Sequence, residues 1–322
     1  MTLEEFLSEW NDSSDRLLVH TSGSTGEPKP LWVEKRRMEA SALTTCRFLG
    51  LRHGDTALLC MPLDYIAGKM VVVRSLVCGL KLVCVEPSGH PLSSLCDAPV
   101  FAAMVPMQVY NSIRVDRERK LLRQIRHLII GGGAVDSELA CKLKDFPNAV
   151  WSTYGMTETL SHVALRRLSG PSASCWYTPF EGVSISLSPE GCLVIDAPSV
   201  CAQTLITNDI AELSPDGNRF RILGRKDNVI CSGGIKIQAE EVEQLLAPYL
   251  NSPFMITRKS DGKYGEAVVL ISEDEDMEEI KRICREVLPK YWRPRHYLHV
   301  DHVPLTETGK PARKRAEQLV TL

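Results

Sequence analysis

Nothing in this sequence has the spacing of a zinc site or a thioredoxin-like centre, because C-x-x-C does not occur. No apolar run is long enough to cross a bilayer, and Met1 is not followed by a basic and then apolar leader. Neither sign of charge dominates: 38 basic side chains face 40 acidic ones, a net charge of -2. Nucleic acid and anionic membrane are therefore not expected as partners. The common phosphate-binding signature G-x-x-x-x-G-K-[ST] is missing as well, since Pro28 stands five residues after Gly23 where a glycine is required.

What is present is a chain of 322 residues, enough for about two domains. Its 44% hydrophobic and 24% charged content is ordinary for a globular protein. Eleven cysteines lie scattered, and Cys60, Cys78, Cys84 and Cys201 fall inside apolar runs. That placement predicts buried, unpaired thiols in a reducing cytoplasm.

The most informative stretch is Thr21-Ser22-Gly23-Ser24-Thr25-Gly26-Glu27-Pro28-Lys29, directly after the apolar run Leu17-Leu18-Val19. Its glycines let the backbone turn and expose N–H groups, four hydroxyls add rotatable donors, and Lys29 adds a cation. A polyphosphate suits such a loop. A flexible surface linker has similar composition, but needs no fixed order of hydroxyls.

Along the chain, residues 3–11 read as a short amphipathic helix, and 34–49 and 66–77 as longer helices, the second ended by Gly79. Apolar strands are predicted at 57–61, 82–85, 100–104, 127–130 and 149–151. Helices starting at Pro106, spanning 117–125 and capped by Asp136 separate the later ones. Near-continuous apolar strands alternating with helices predict an α/β fold, a mostly parallel sheet layered with helices. Ligands then gather beyond the carboxyl ends of the strands, where the Thr21 loop, Gly131-Gly132-Gly133 and the Tyr154 loop all fall. From Glu181 the pattern changes to short strands at 183–187, 192–195, 204–206 and 220–223 with Pro/Gly/Asp turns, predicting a small antiparallel β-barrel-like subdomain. After Gly224 come helices at 239–246 and 277–287, strands at 254–258 and 267–272, an extended stretch at 297–303 and a basic helix from Pro311, a smaller α+β domain. The expected division is 1–224 for the nucleotide- and acid-binding domain and 225–322 for a mobile lid. His296, His299 and His302 are three apart on the extended stretch, so they point to different faces and do not converge on a metal.

Set side by side, these pieces resemble the adenylate-forming family of acyl- and aryl-CoA synthetases. Thr21 to Lys29 matches its T-S-G-S-T-G-x-P-K loop, and Tyr154-Gly155-Met156-Thr157-Glu158 its Y-G-x-T-E. Gly224-Arg225-Lys226-Asp227, Ser232-Gly233-Gly234 and Glu240-Glu241-Val242-Glu243 match its hinge and the start of its small domain. Pro304-Leu305-Thr306-Glu307-Thr308-Gly309-Lys310 matches its C-terminal lysine loop, with Arg313 at the family spacing. Within the family, Thr157-Glu158-Thr159-Leu160-Ser161 and Met61-Pro62-Leu63 up to Gly68 are similar to the o-succinylbenzoate–CoA ligases of menaquinone synthesis. The chain also departs from the family. Its phosphate loop starts at Thr21 where relatives have a long preceding region, which implies a compact variant or a compensating homodimer. Asp64-Tyr65 replaces an aromatic and a histidine, Thr207-Asn208-Asp209 replaces T-G-D, and Gly234-Ile235-Lys236-Ile237 replaces G-E-N-I.

The resemblance implies a ligase that joins a small carboxylic acid to coenzyme A through an acyl-adenylate, using ATP and Mg²⁺. Both partners of the first step are anions, so the enzyme must screen repulsion and stabilise charge building on pyrophosphate. Thr21, Ser22, Gly23, Ser24, Thr25, Gly26 and Lys29 would hold the outer phosphates, Thr157 would reach the α-phosphate and Glu158 would hold the metal. Gly131, Gly132 and Gly133 would form a wall for adenine, Tyr154 would stack on it, and Asp209 with Arg225 would bind the ribose. Lys310 would be catalytic, offsetting negative charge while the lid is closed, and Asp227 would be the hinge. Gly233 and Gly234 would line the CoA channel, and Tyr65, Met104, Met156 and Ser161 the acid pocket. Taken singly, each has a plain alternative: Thr157-Glu158 as a helix cap, the glycine triplet as a tight turn, Asp209 as a turn residue, Lys310 as a solvated lysine. Other aryl or fatty acids, loading of a carrier protein, and a non-catalytic nucleotide-binding remnant are the competing functional readings.

Overall fold

The computed structural model describes residues 1–20, 30–306 and 311–320. Its chain divides into two compact units, one formed by Met1–Ser186, Val194–Leu205 and Leu213–Phe220, the other by Leu187–Leu193, Ile206–Glu212 and Arg221–Leu322.

The first unit opens with α1 (Leu3–Trp10), where the Thr2 hydroxyl and the Glu5 carboxylate cap each other's backbone N–H groups. Strand β1 (Arg16–His20) pairs antiparallel with β2 (Pro30–Glu34), so the apolar run before the Thr21 loop belongs to a two-stranded ribbon and not to the parallel sheet. The loop between them, Thr21 to Lys29, lies outside the described residues. Helix α2 (Lys35–Leu49) follows, then β3 (Thr56–Leu59), α3 (Ile66–Cys78), β4 (Lys81–Cys84), β5 (Phe101–Met104), α4 (Pro106–Arg114), α5 (Asp116–Gln124), β6 (His127–Ile130), α6 (Ser137–Leu143), β7 (Ala149–Gly155), β8 (His162–Arg167) and the two-residue β9 (Thr178–Pro179). As expected, Pro106 occupies the first turn of α4, and the Asp136 carboxylate accepts from the Leu139 N–H at 2.7 Å. The seven-stranded sheet has the order β4-β3-β5-β6-β7-β8-β9, parallel from β4 through β7 and antiparallel beyond. Leu58, Phe101, Ala102, Leu128 and Ile130 are buried along its parallel strands, which explains their unbroken hydrophobicity.

All eleven cysteines are free thiols, but burial holds for only part of them. Cys60 is buried, Cys78 and Cys201 are intermediate and Cys84 is exposed. Cys84 sits on β4, the edge strand of the sheet, where an apolar run has a partner on one side only.

Four strands, β10 (Ser184–Leu187), β11 (Cys192–Asp196), β12 (Leu205–Leu213) and β13 (Phe220–Arg225), form a sheet in sequential order. Where sequence analysis expects only a short strand at 204–206, β12 runs for nine residues. Its inward positions continue through Thr207 and Ala211, and the polar Asn208-Asp209 does not end it.

The second unit continues with β14 (Val229–Ser232), β15 (Ile235–Gln238), α7 (Ala239–Leu246), β16 (Phe254–Asp261), β17 (Gly265–Ser272), α8 (Met277–Val287), β18 (His296–His299) and α9 (Arg313–Leu319). The sheet order is β15-β14-β17-β16, with β18 added parallel to β17. Helices α7 and α8 pack with it around Ile230, Ile237, Val242, Leu246, Leu270 and Ile280. Sequence analysis does not anticipate the β14–β15 hairpin. Its register pairs Ser232 with Ile235, leaving a two-residue turn of Gly233 and Gly234 at φ 60 and 83. Positive φ at both central residues is the tight hairpin geometry that matches strand twist, and glycine adopts it without steric cost.

Candidate functional site

In the first unit, three stretches at the carboxyl ends of β5, β6 and β7 carry the residues singled out above. After β6, the Gly131 N–H donates to the Met104 carbonyl at 3.0 Å, and a Cβ on Gly131 would overlap the Thr153 hydroxyl. Gly132 has φ 78, whereas a Cβ on Gly133 would meet only the Pro106 ring at ordinary contact distance. The first two glycines therefore have structural reasons, space and backbone angle; the third has neither.

After β7 the chain enters a single 3-10 turn at Thr157–Thr159. Thr157 is buried, and Glu158 is exposed with no hydrogen bond or ion pair among the described residues. Thr159 fastens this turn: its hydroxyl lies 3.0 Å from the Met156 N–H and 2.7 Å from the Ser161 carbonyl oxygen. Leu160 then takes φ 65 and ψ -37, with the Ser161 N–H donating to the Thr159 carbonyl at 2.7 Å. This is the rarer, strained form of γ-turn, and Leu160 is the only non-glycine residue at positive φ among those described. Gly155 permits it, because a Cβ there would overlap the Ser161 carbonyl oxygen. Tyr154 packs edge-on against Phe220, with ring centroids 5.0 Å apart, and lies 5.8 Å from Tyr177. Of the four acid-pocket candidates, Met104 is buried, Met156 and Ser161 are half-buried and Tyr65 is exposed ahead of α3.

The strained turn delivers Ser161 to a group that sequence analysis does not identify. Arg74, on α3, is 2% exposed, and its Nη2 donates to the Ser161 hydroxyl at 2.6 Å. Its Nε finds no partner, and no carboxylate pairs with it among the described residues. Burial pulls the guanidinium down to about 10. A directed chain of bonds continues from it. With its acceptor site taken, Ser161 can give its own proton to His162 Nδ1, 3.2 Å away. That fixes the imidazole proton on Nε2, which lies 3.1 Å from the Thr45 hydroxyl, and Thr45 donates in turn to the Ser41 carbonyl at 3.1 Å. His162 is buried and held well below the usual histidine range, first by burial and then by the charge of Arg74. The ring therefore stays neutral and serves as a relay. The signal available in the sequence is an arginine placed mid-helix in the apolar run Met70-Val71-Val72-Val73.

The second unit carries the other candidates. Arg225 Nε lies 3.7 Å from Asp209 Oδ1, and its Nη2 lies 3.5 Å from Asp227 Oδ2, so one guanidinium bridges the ribose candidate and the hinge candidate. Asn208 Nδ2 reaches the same Asp227 oxygen at 3.4 Å. Gly233 and Gly234 form the β14–β15 turn described above. Arg313 makes a two-pronged bond to Glu243, at 2.8 and 2.7 Å, and donates to the Ile256 carbonyl at 2.6 Å. Lys310, three residues earlier, lies outside the described residues. No cluster of three or more His, Cys, Asp or Glu side chains that could hold a metal occurs among the described residues. Among them, too, no helix is long and apolar enough to cross a membrane.

The sequence matches the family model of the AMP-binding enzymes over residues 6–188 and that of their C-terminal domain over residues 256–310. A 2-succinylbenzoate–CoA ligase of Listeria innocua is 25% identical over 96% of this chain and 71% of its own length. Among solved structures, an acyl-CoA synthetase (AMP-forming)/AMP-acid ligase II-like protein from Dyadobacter fermentans is 34% identical, with a TM-score of 0.66 covering 98% of this chain and 92% of that one. An o-succinylbenzoate coenzyme A synthetase from Bacillus subtilis, in complex with ATP and magnesium ion, is 21% identical with a TM-score of 0.76, covering 92% of this chain and 69% of that one.

Proposed function

The chain belongs to the AMP-binding enzyme family, and from that premise we propose that it is an ATP-dependent, AMP-forming acid–CoA ligase whose acid is o-succinylbenzoate. The carboxylate of the acid attacks the α-phosphate of ATP and pyrophosphate leaves. The CoA thiolate then attacks the acyl-adenylate, forming the thioester and releasing AMP.

The observation that carries the choice of acid is Arg74. A guanidinium buried without a carboxylate is costly, and a fold retains one where an anion arrives from outside. o-Succinylbenzoate has two carboxylates, so one remains charged while the other is activated. Arg74 suits that second group, with Ser161 orienting the guanidinium and the neutral His162 and Thr45 holding Ser161 in turn.

The remaining roles follow the sequence motifs. Thr21 to Lys29 bind the outer phosphates, the glycines 131–133 and Tyr154 the adenine, Asp209 and Arg225 the ribose, and Thr157 the α-phosphate. A lone exposed carboxylate fits magnesium, which takes one or two protein carboxylates and completes its shell with water and substrate phosphates. Glu158 would hold it, and the ion would screen the phosphate charge. Residues 225–322 serve as a lid that turns about Asp227, with Lys310 offsetting the negative charge of the first transition state. Glu243, by gripping Arg313, holds the start of α9 just beyond that lysine. The barrel-like subdomain, a homodimer and a cytoplasmic location are parts of the same proposal.

The test is pyrophosphate exchange into ATP. Exchange should depend on o-succinylbenzoate, fall sharply with an analogue lacking the succinyl carboxylate, and vanish in Lys310→Ala. Equal exchange with both acids would remove the case for the diacid, and none with any acid would remove the ligase.

A further inference from the structure

The two ends of the lysine loop meet at the start of α9. The Ala312 N–H donates to the Pro304 carbonyl at 2.9 Å, and Leu305 pairs with Pro311 in an isolated antiparallel bridge. Whatever holds Arg313 therefore also sets the base of the loop that carries Lys310. Arg313 has two acidic neighbours on α7, and their surroundings differ. Glu243, in the two-pronged bond described above, also accepts the Ile256 N–H at 2.8 Å, which fixes it to β16. Glu240, nearly one turn earlier, lies 3.8 Å from Arg313 Nη2 and reaches the hinge segment as well.

Both oxygens of Glu240 are engaged on that side. Oε1 accepts from Asn228 Nδ2, and Oε2 accepts from Gln238 Nε2, which also donates to the Arg225 carbonyl at 2.9 Å. A Cβ on Gly224 would overlap the Gln238 amide, so this close approach needs a glycine there. A second path runs beside the first: Arg258 Nη1 donates to the Val229 carbonyl at 3.2 Å, and its Nε lies 2.9 Å from Glu317 Oε1, one turn beyond Arg313 on α9. Both paths begin within two residues of Asp227 and end on α9. A backbone rotation at Asp227 moves the Arg225 carbonyl against the Asn228 amide, and the Gln238–Glu240 pair cannot keep both through it. Whichever bond is released, the carboxylate gains freedom toward the charge of Arg313.

We propose that Glu240 is a positioning residue of the first half-reaction: it ties the backbone around Asp227 to the base of the lysine loop, so that Lys310 is presented in step with the hinge. The inference rests on the ligase reading above and deepens it, since it names the side chain through which the hinge acts on the lysine. Glu243 anchors Arg313 to the sheet, and Glu240 makes that anchor responsive.

The experiment compares the intact wild type with Glu240→Ala, Glu240→Gln, Asn228→Ala and the double variant Asn228→Ala/Glu240→Ala. In acid-dependent pyrophosphate exchange, Glu240→Ala should lose about 10-fold in kcat at unchanged KM, the scale for a catalytic group displaced by a fraction of an ångström. Glu240→Gln, which keeps the size but not the charge, should show the same split by a smaller factor. The double variant should be no slower than Glu240→Ala, because the Asn228 amide acts through the carboxylate. Thioester formation from supplied acyl-adenylate and CoA should stay within about 2-fold in every variant. Equal losses in both half-reactions, or losses that multiply in the double variant, overturn the proposal. Amide hydrogen exchange at Ala312 and Ala316 gives a readout without turnover: it should quicken in Asn228→Ala, and unchanged exchange overturns the link whether or not the chain is a ligase. A wild type without acid-dependent pyrophosphate exchange refutes the ligase reading, and the amide measurement still judges the link.

Discussion

Replacing Arg74 by methionine separates a binding role from a structural one, because the two roles call for opposite changes in stability. Methionine fills similar space and carries no charge. In the protein without substrate the arginine is buried and its pKa is pulled to about 10. A fall of that size from the ordinary arginine value corresponds to about 3 kcal/mol against the charged form. The bond to Ser161 at 2.6 Å returns about 1.5 kcal/mol of it. Arg74→Met should therefore stabilise the folded chain by about 1.5 kcal/mol, read as a higher urea midpoint at unchanged slope. Raising the pH of the wild type should bring the same relief only above about 10. There the folded protein gives up the proton before the unfolded chain does, so stability rises with pH. In the ligase assay the variant should lose about 100-fold or more in kcat/KM for o-succinylbenzoate. That corresponds to about 3 kcal/mol, as for a buried charge left without its partner. An analogue without the second carboxylate should be converted about as well as before. A variant that is destabilised, and that loses both acids equally, would show Arg74 to be a packing residue and refute the reasoning.

The relay and the lysine-loop anchor give two further expectations. Below about pH 6.5 the unfolded chain protonates His162 whereas the folded protein resists. This residue should thus withdraw stability as pH falls, by up to about 1.4 kcal/mol per pH unit, and His162→Asn should flatten the dependence measured by urea unfolding between about pH 7 and pH 5.5. An unchanged slope would assign the dependence to other groups. Glu243→Gln uncouples the fork to Arg313 and should cost about 3 kcal/mol in thermal or urea unfolding; a loss within about 0.5 kcal/mol would show that the pair holds nothing in place.

Much of the architecture was legible because burial on both faces leaves a plain signature. The strands at Leu58, Phe101 and Leu128 are continuous apolar runs, and their separation by helices calls for a parallel sheet. Less legible were elements whose cause is not hydrophobicity. The β14–β15 hairpin depends on two glycines that the motif reading reserved for coenzyme A, and β12 hides behind polar residues that a half-exposed strand tolerates. The site divides in the same way. Ser161 was found through its motif, but its partner was not, since an arginine in a helix is usually exposed and only coordinates reveal one that is buried without an acid. The γ-turn at Leu160 left no trace, because leucine has no preference for such a backbone angle.

The bonds running from Arg74 through Ser161 and His162 to Thr45 constrain the order in which a descendant lineage can abandon diacids. Losing the guanidinium first removes the buried charge that the serine orients, so later exchanges at the serine and threonine are gentle. Losing the serine first strands a cation in the interior, and purifying selection should remove such a chain before the second substitution arrives. Drift toward neutral-tailed acids should therefore begin on α3, with the other two segments following as permissive steps.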